Sequence, residues 1–90
     1  MEDVRGALAA NLAELRKEEN LTQAEFAARF NYSDKAVSKW ERGDSLPDVV
    51  MLKTIADLYG LRVDDLLTED GVASALAEAA GRAKKAGAYL

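Results

Sequence analysis

At 90 residues, 49% hydrophobic and 31% charged, the chain makes one small domain, near the size at which a single apolar core is only just sufficient. It has no cysteine and no histidine, which excludes a disulfide framework, a thiolate metal site and histidine-based acid–base chemistry, and which fits a reducing cytoplasm. The net charge of −4 argues against indiscriminate attraction to nucleic acid, no apolar run approaches membrane-spanning length, and the opening Met1-Glu2-Asp3 is unlike a signal peptide.

Apolar residues at Val4, Leu8, Leu12 and Leu15 have the spacing of one helix face and predict a first helix over 4–19, with Asn20 as its stop. Thr22-Gln23-Ala24-Glu25 is a capping box, in which the Thr hydroxyl accepts from a first-turn N–H and Glu25 reaches back to the cap. Leu21 and Phe26 sit where a hydrophobic staple forms. The second helix runs from there to Phe30, with Phe26, Ala27 and Phe30 on its inner face. Asn31 is the break, since Asn tolerates the left-handed backbone of a tight turn.

Ser33 caps a third helix over 34–42, Asp34 favours the positive end of its dipole, and Gly43 suits the position just past its end. After the connection Asp44-Ser45-Leu46-Pro47, Asp48 opens a fourth helix with the stripe Leu52, Ile55, Ala56 and Tyr59, ended by Gly60. A short fifth helix covers 63–67, with Asp64 and Asp65 in its first turn. No segment alternates with period two, so strands are not expected and the fold class is all-α.

Composition changes at Gly71. The last twenty residues are Ala-rich, with a weak stripe at Val72, Leu76, Ala80 and Ala83, an i,i+4 pair Glu78–Arg82, and two glycines, Gly81 and Gly87, that weaken a helix. They predict a sixth helix over 72–84 with frayed ends, and divide the chain into a domain at 1–70 and a helical tail or linker at 71–90. Such a tail packs on the domain, pairs with a second chain or another protein, or leads to a further domain.

Charge is uneven. Residues 57–70 hold Asp57, Asp64, Asp65, Glu69 and Asp70 against Arg62 alone. Residues 22–43 hold Arg29, Lys35, Lys39 and Arg42 against Glu25, Asp34 and Glu41, a balance of +1. Within 22–43 the two helical patterns and their tight turn make a helix–turn–helix, whose second helix carries a polar face that a core does not need. Double-stranded DNA is the regular polar partner that suits it.

Residues 11–67 resemble the Cro/CI-type helix-turn-helix domain of the Xre family of bacterial and phage transcriptional regulators, with Thr22-Gln23, Ala27, Val37-Ser38, Trp40-Glu41, Gly43 and Leu46-Pro47 at that family's spacing. The resemblance implies a five-helix, lambda-repressor-like bundle, here with an extra C-terminal helix. It implies that the third helix enters the major groove while the second lies across the backbone. Ala27 matches the small residue between the two helices, and Val37 the apolar residue that locks the recognition helix to the core. Asn31 stands where the family has Gly.

On this alignment Asp34, Lys35, Ser38 and Lys39 form one outward stripe of the recognition helix and are the candidate base contacts. Lys35 and Lys39 can donate to guanine O6 or N7, and Ser38 can serve several bases. Asp34, ranked last of the four, accepts from cytosine N4, repels backbone or serves as a cap.

Gln23, Tyr32, Ser33 and Arg42 are the candidate phosphate contacts. Three of them have a plainer alternative: a solvated amide for Gln23, packing for Tyr32 and a dipole-favoured last-turn cation for Arg42. Trp40 is read as core. Arg16 and Glu41 match a salt bridge that, in the resembling repressors, sets the angle of the recognition helix.

The implied function is sequence-specific binding of double-stranded DNA by a homodimer, at a near-palindromic operator, by a cytoplasmic transcriptional repressor that needs no cofactor and no metal. The rival reading is an antitoxin or adaptor that keeps the fold and works through a protein partner, favoured by the acidic segment and the Ala-rich tail. An enzyme is not expected, because there is no glycine-rich phosphate loop and no paired catalytic constellation.

Overall fold

The computed structural model describes residues 3–87, with side chains described as far as position 81. Six helices follow one another as α1 (Val4–Glu18), α2 (Gln23–Ala28), α3 (Asp34–Arg42), α4 (Val49–Leu58), α5 (Val63–Leu67) and α6 (Gly71–Gly87), and no strand occurs among the described residues. None of these helices is long and apolar enough to cross a membrane.

Local chemistry accounts for the helix ends. Asp3, Thr22, Ser33 and Asp48 each accept from a backbone N–H three residues on, which satisfies a donor that the helix itself leaves orphaned. The capping box at Thr22 is complete: Glu25 N–H donates to Thr22 Oγ1 at 3.1 Å and Thr22 N–H donates to Glu25 Oε1 at 2.9 Å. Asn20, Asn31 and Asp70 take the left-handed region with φ of 57°, 58° and 57°.

Alpha2 ends two residues before the expected Phe30. Arg29 and Phe30 already bond three residues back, to Phe26 and Ala27, so the chain tightens into a turn before Asn31 reverses it. Phe30 stays buried, because that turn keeps its ring 5.2 Å from Phe26 in an edge-on contact.

One core joins Leu8, Leu12 and Leu15 of α1, Phe26, Ala27 and Phe30 of the second segment, Val37 and Trp40 of α3, Ile55 and Ala56 of α4, Leu66 of α5 and Val72 of α6. Leu52 and Tyr59, expected inside, are partly buried against it. Val4 is not part of it: at the first helical position, a full turn before Leu8, it remains 43% exposed.

The compositional change at Gly71 does not coincide with a gap in packing. Val72 is fully buried and Leu76 lies against the core, whereas Ala80 is exposed. The side chains of Arg82 and Ala83 lie outside the described residues. Alpha6 runs through Gly81, beyond the expected end at 84.

The buried side chain of Asn11 is what ties α6 to α1. Its amide nitrogen lies 2.8 Å from the carbonyl oxygens of Leu66 and Thr68 and 3.1 Å from that of Asp65, while its oxygen accepts from Val72 N–H at 3.3 Å. Gly71 makes the close approach possible, since a Cβ there would meet the Asp65 carbonyl oxygen at 2.1 Å.

Asn11→Leu keeps the branched shape of the side chain and strands buried carbonyl and N–H groups, each worth about 1–3 kcal/mol when left unpaired; the urea midpoint should fall by roughly 1 M or more. The Thr22 backbone N–H, and then its hydroxyl, hold the Glu25 carboxyl below its ordinary value of 4.5. A carboxyl depressed on folding stabilises above its unfolded value, and that contribution is lost as pH falls through the folded one. Thermal melts from pH 6 downward should therefore show a component of acid sensitivity that Glu25→Gln removes.

Candidate nucleic-acid interface

Six of the sequence-derived candidates, Gln23, Asp34, Lys35, Ser38, Lys39 and Arg42, line one shallow concavity of about 340 Å3 between the start of α2 and the outer face of α3. Asp34, Lys35, Ser38 and Lys39 share a face because the helix returns every 3.6 residues, and Val37 and Trp40 point the other way into the core. None of those four side chains makes a hydrogen bond or ion pair among the described residues, so all four remain free for a ligand.

Tyr32 and Ser33 do not line the concavity; they flank the N-terminus of α3. The Ser33 hydroxyl accepts from Ala36 N–H at 3.2 Å, which leaves its own proton free to donate. The Tyr32 ring leans on Trp40 at 5.2 Å and is 38% exposed.

A carboxylate braces the face from behind. Glu41 receives Arg16 from both oxygens, Nε to Oε2 at 2.7 Å and Nη2 to Oε1 at 3.0 Å, in the bidentate geometry that makes such pairs strong. Gln23 Nε2 adds a third contact to Glu41 Oε1 at 3.2 Å, and Arg16 Nη1 donates to the Leu21 carbonyl at 2.9 Å. One carboxylate thus joins α1, α2 and α3. The side chains of Arg16 and Glu41 are 16% and 8% exposed, and the bond to Glu41 pushes the Arg16 pKa above its ordinary value, so it stays charged.

The charge of the motif is distributed less evenly than its sequence sum implies. Arg29 contributes nothing to the concavity: it pairs with Glu19 at 2.6 Å and donates to the Tyr59 hydroxyl at 3.2 Å. Arg42 is paired with Asp44 at 2.9 Å. Lys35 and Lys39 are left as the unpaired cations of the face, with Asp34 beside them. Two other hollows, of about 470 and 490 Å3, are lined by Asp3, Glu69 and Asp70 and by Asp64, Asp65, Glu69 and Glu78, with Arg62 as their one cation, and are unsuited to a polyanion.

Sequence reasoning missed three supporting residues. Asn11 lies three residues from Leu8 and four from Leu15, and that inward spacing was its signal. Arg5 Nη1 donates to the Gly43 carbonyl at 3.0 Å, placing a cation at the negative end of the α3 dipole. Asp44, on the partner end of the Arg42 pair, carried no signal beyond its neighbourhood.

The helix-turn-helix family model matches residues 12–66. The chain belongs to the Cro/CI-type helix-turn-helix family. The chain is 38% identical over 66 residues to the uncharacterized HTH-type transcriptional regulator y4dJ of Sinorhizobium fredii, covering 73% of this chain and 86% of the relative. The HTH-type transcriptional activator BcrR of Enterococcus faecalis is 39% identical over 57 residues, 63% of this chain; the match spans 28% of BcrR, less than a third of its length. The chain is similar in structure to the solved BldD DNA-binding domain of S. venezulae, with a TM-score of 0.62 at 28% identity over 74% of this chain and 100% of the domain.

Breaking the brace should be felt in stability. Arg16→Met leaves Glu41 nearly enclosed and without its cation, so the loss should approach the ~3–5 kcal/mol of a broken buried pair and exceed the ~0–1 kcal/mol of an exposed one. Arg16→Met with Glu41→Met, measured by urea unfolding, should recover much of that loss. An equal or greater loss in the double variant would show that the two charges do not act as a pair.

Proposed function

We propose that the chain binds double-stranded DNA in a sequence-dependent way and acts as a cytoplasmic transcriptional repressor, with α3 lying in the major groove. The observation that carries this reading is the concave face itself. The side chains of Asp34, Lys35, Ser38 and Lys39 converge on one side of α3, make no hydrogen bond or ion pair among the described residues, and are held there by a buried carboxylate. Gln23, Tyr32, Ser33 and Arg42 fix register on phosphates, while Lys35, Ser38 and Lys39, with Asp34, read base edges.

Family membership and the likeness to the BldD DNA-binding domain support the DNA partner. A homodimer on a near-palindromic operator would place two copies of α3 about 34–36 Å apart. Repression requires only occupancy of the operator, which such a face supplies.

Selection of duplexes from a random pool, followed by anisotropy titration across a salt series, tests the reading. The expected result is a near-palindromic consensus, two chains per duplex, and binding that weakens as salt rises. No preference over scrambled duplex, or binding indifferent to salt, would sink it. Lys39→Ala should lower affinity by about 1–3 kcal/mol and relax preference at one base position in each half-site. Uniform weakening across all sequences, with a shallower salt slope, would instead place Lys39 on phosphate.

A further inference from the structure

Arg42 ends α3 and lines the concavity, yet its charge is not offered whole. Its Nε donates to Asp44 Oδ2 at 2.9 Å, and both side chains are 60% exposed. Gly43, at φ 75°, turns the chain back so that Asp44 N–H donates to the Lys39 carbonyl at 2.9 Å. That turn places residue 44 beside the last turn of the recognition helix. The contact uses Nε alone, and both terminal nitrogens of Arg42 are free of hydrogen bonds among the described residues. The guanidinium therefore presents a fork of donors to solvent, while the pair as a unit carries no net charge.

A duplex responds to those two properties separately. Attraction to random DNA follows the number of phosphates neutralised, and each contributes about 0.9 to the slope of log affinity against log salt. A neutral pair adds little to that sum. A hydrogen-bonded phosphate contact depends instead on geometry, and the outer edge of Arg42 keeps it. We propose that Asp44 is a specificity-determining residue: it cancels the charge of Arg42 toward random duplex and leaves the outer edge of Arg42 for a phosphate in register. The inference rests on the DNA-binding reading above and deepens it. The rest of the face is consistent with restraint of bulk charge, since Lys35 and Lys39 are its other cations and Asp34 offsets one of them.

Asp44→Asn keeps the size of the side chain and an oxygen for Arg42 Nε while removing the charge. Anisotropy titrations would compare wild type and variant on a duplex selected by the wild type and on a scrambled duplex, each across a salt series. The variant should bind scrambled duplex about two- to fivefold tighter at low salt, the size of one exposed charge pair, with a slope steeper by about 0.9. The selected duplex should gain less, so the ratio of the two affinities falls. Asp44→Ala should change both quantities in the same direction, with melting temperature unchanged, since the side chain is exposed and its backbone bond is retained. Equal gains on both duplexes, an unchanged slope, or weaker binding overturns the inference while the DNA-binding reading stands. A wild type that binds neither duplex overturns both.

Discussion

Three helices meet at the carboxylate of Glu41. Arg16 approaches it from α1 with two nitrogens, Gln23 from the start of α2 with one, and Glu41 itself sits in the last turn of α3. Apolar packing alone fixes the separation of two helices better than their rotation, because side chains such as Val37 and Leu12 can repack with small loss. A bidentate guanidinium–carboxylate contact has a plane and two set distances, so it fixes rotation as well. The orientation of the Lys35–Lys39 stripe toward solvent depends on that rotation. A side chain nearly closed off from water, 8% exposed, is then doing what a surface ion pair could not.

The other half of the molecule is organised around an uncharged group. Asn11 projects from the middle of α1 into the turn between α5 and α6, and every polar atom of its amide is engaged there. Arg16 and Asn11 lie on one helix, so α1 serves as the common beam: its C-terminal part sets α3 and its central part holds the last helix. Both contacts satisfy groups that would be costly if buried alone, and among the described residues no buried side-chain nitrogen or oxygen lacks a partner.

What could be read from the sequence follows the range of each interaction. Thr22 and Glu25, Ser33, Asp48 and Gly43 act on backbone a few residues away, and their roles were legible from residue type and spacing. The outward stripe of α3 was legible because Val37 and Trp40 fixed its opposite face. Arg16 and Glu41, 25 residues apart, were identified through family resemblance, since nothing local links them. Asn11 bonds to groups 54–61 residues away and Arg5 to one 38 away, and no local pattern encodes those distances. The early end of α2 and the exposure of Val4 were missed for a related reason: periodicity marks a face, and whether anything lies opposite that face is a property of the whole fold. The balance of +1 over residues 22–43 drew on residues that do not share the face: Arg29 turns to Glu19 and Tyr59, Glu41 to Arg16, and Glu25 to the cap at Thr22.

Fold and outward face are carried by different atoms of the same short helix. Val37, Trp40 and Glu41 hold α3 in place, whereas the side chains of Asp34, Lys35, Ser38 and Lys39 are bonded to nothing else among the described residues. Substitutions on the outer stripe therefore leave the core and its brace untouched, and selection for stability has little grip on them. The stripe is free to drift in sequence while the scaffold stays constant. A handful of changes within nine residues could reshape that face while the buried side chains of the same helix stay as they are.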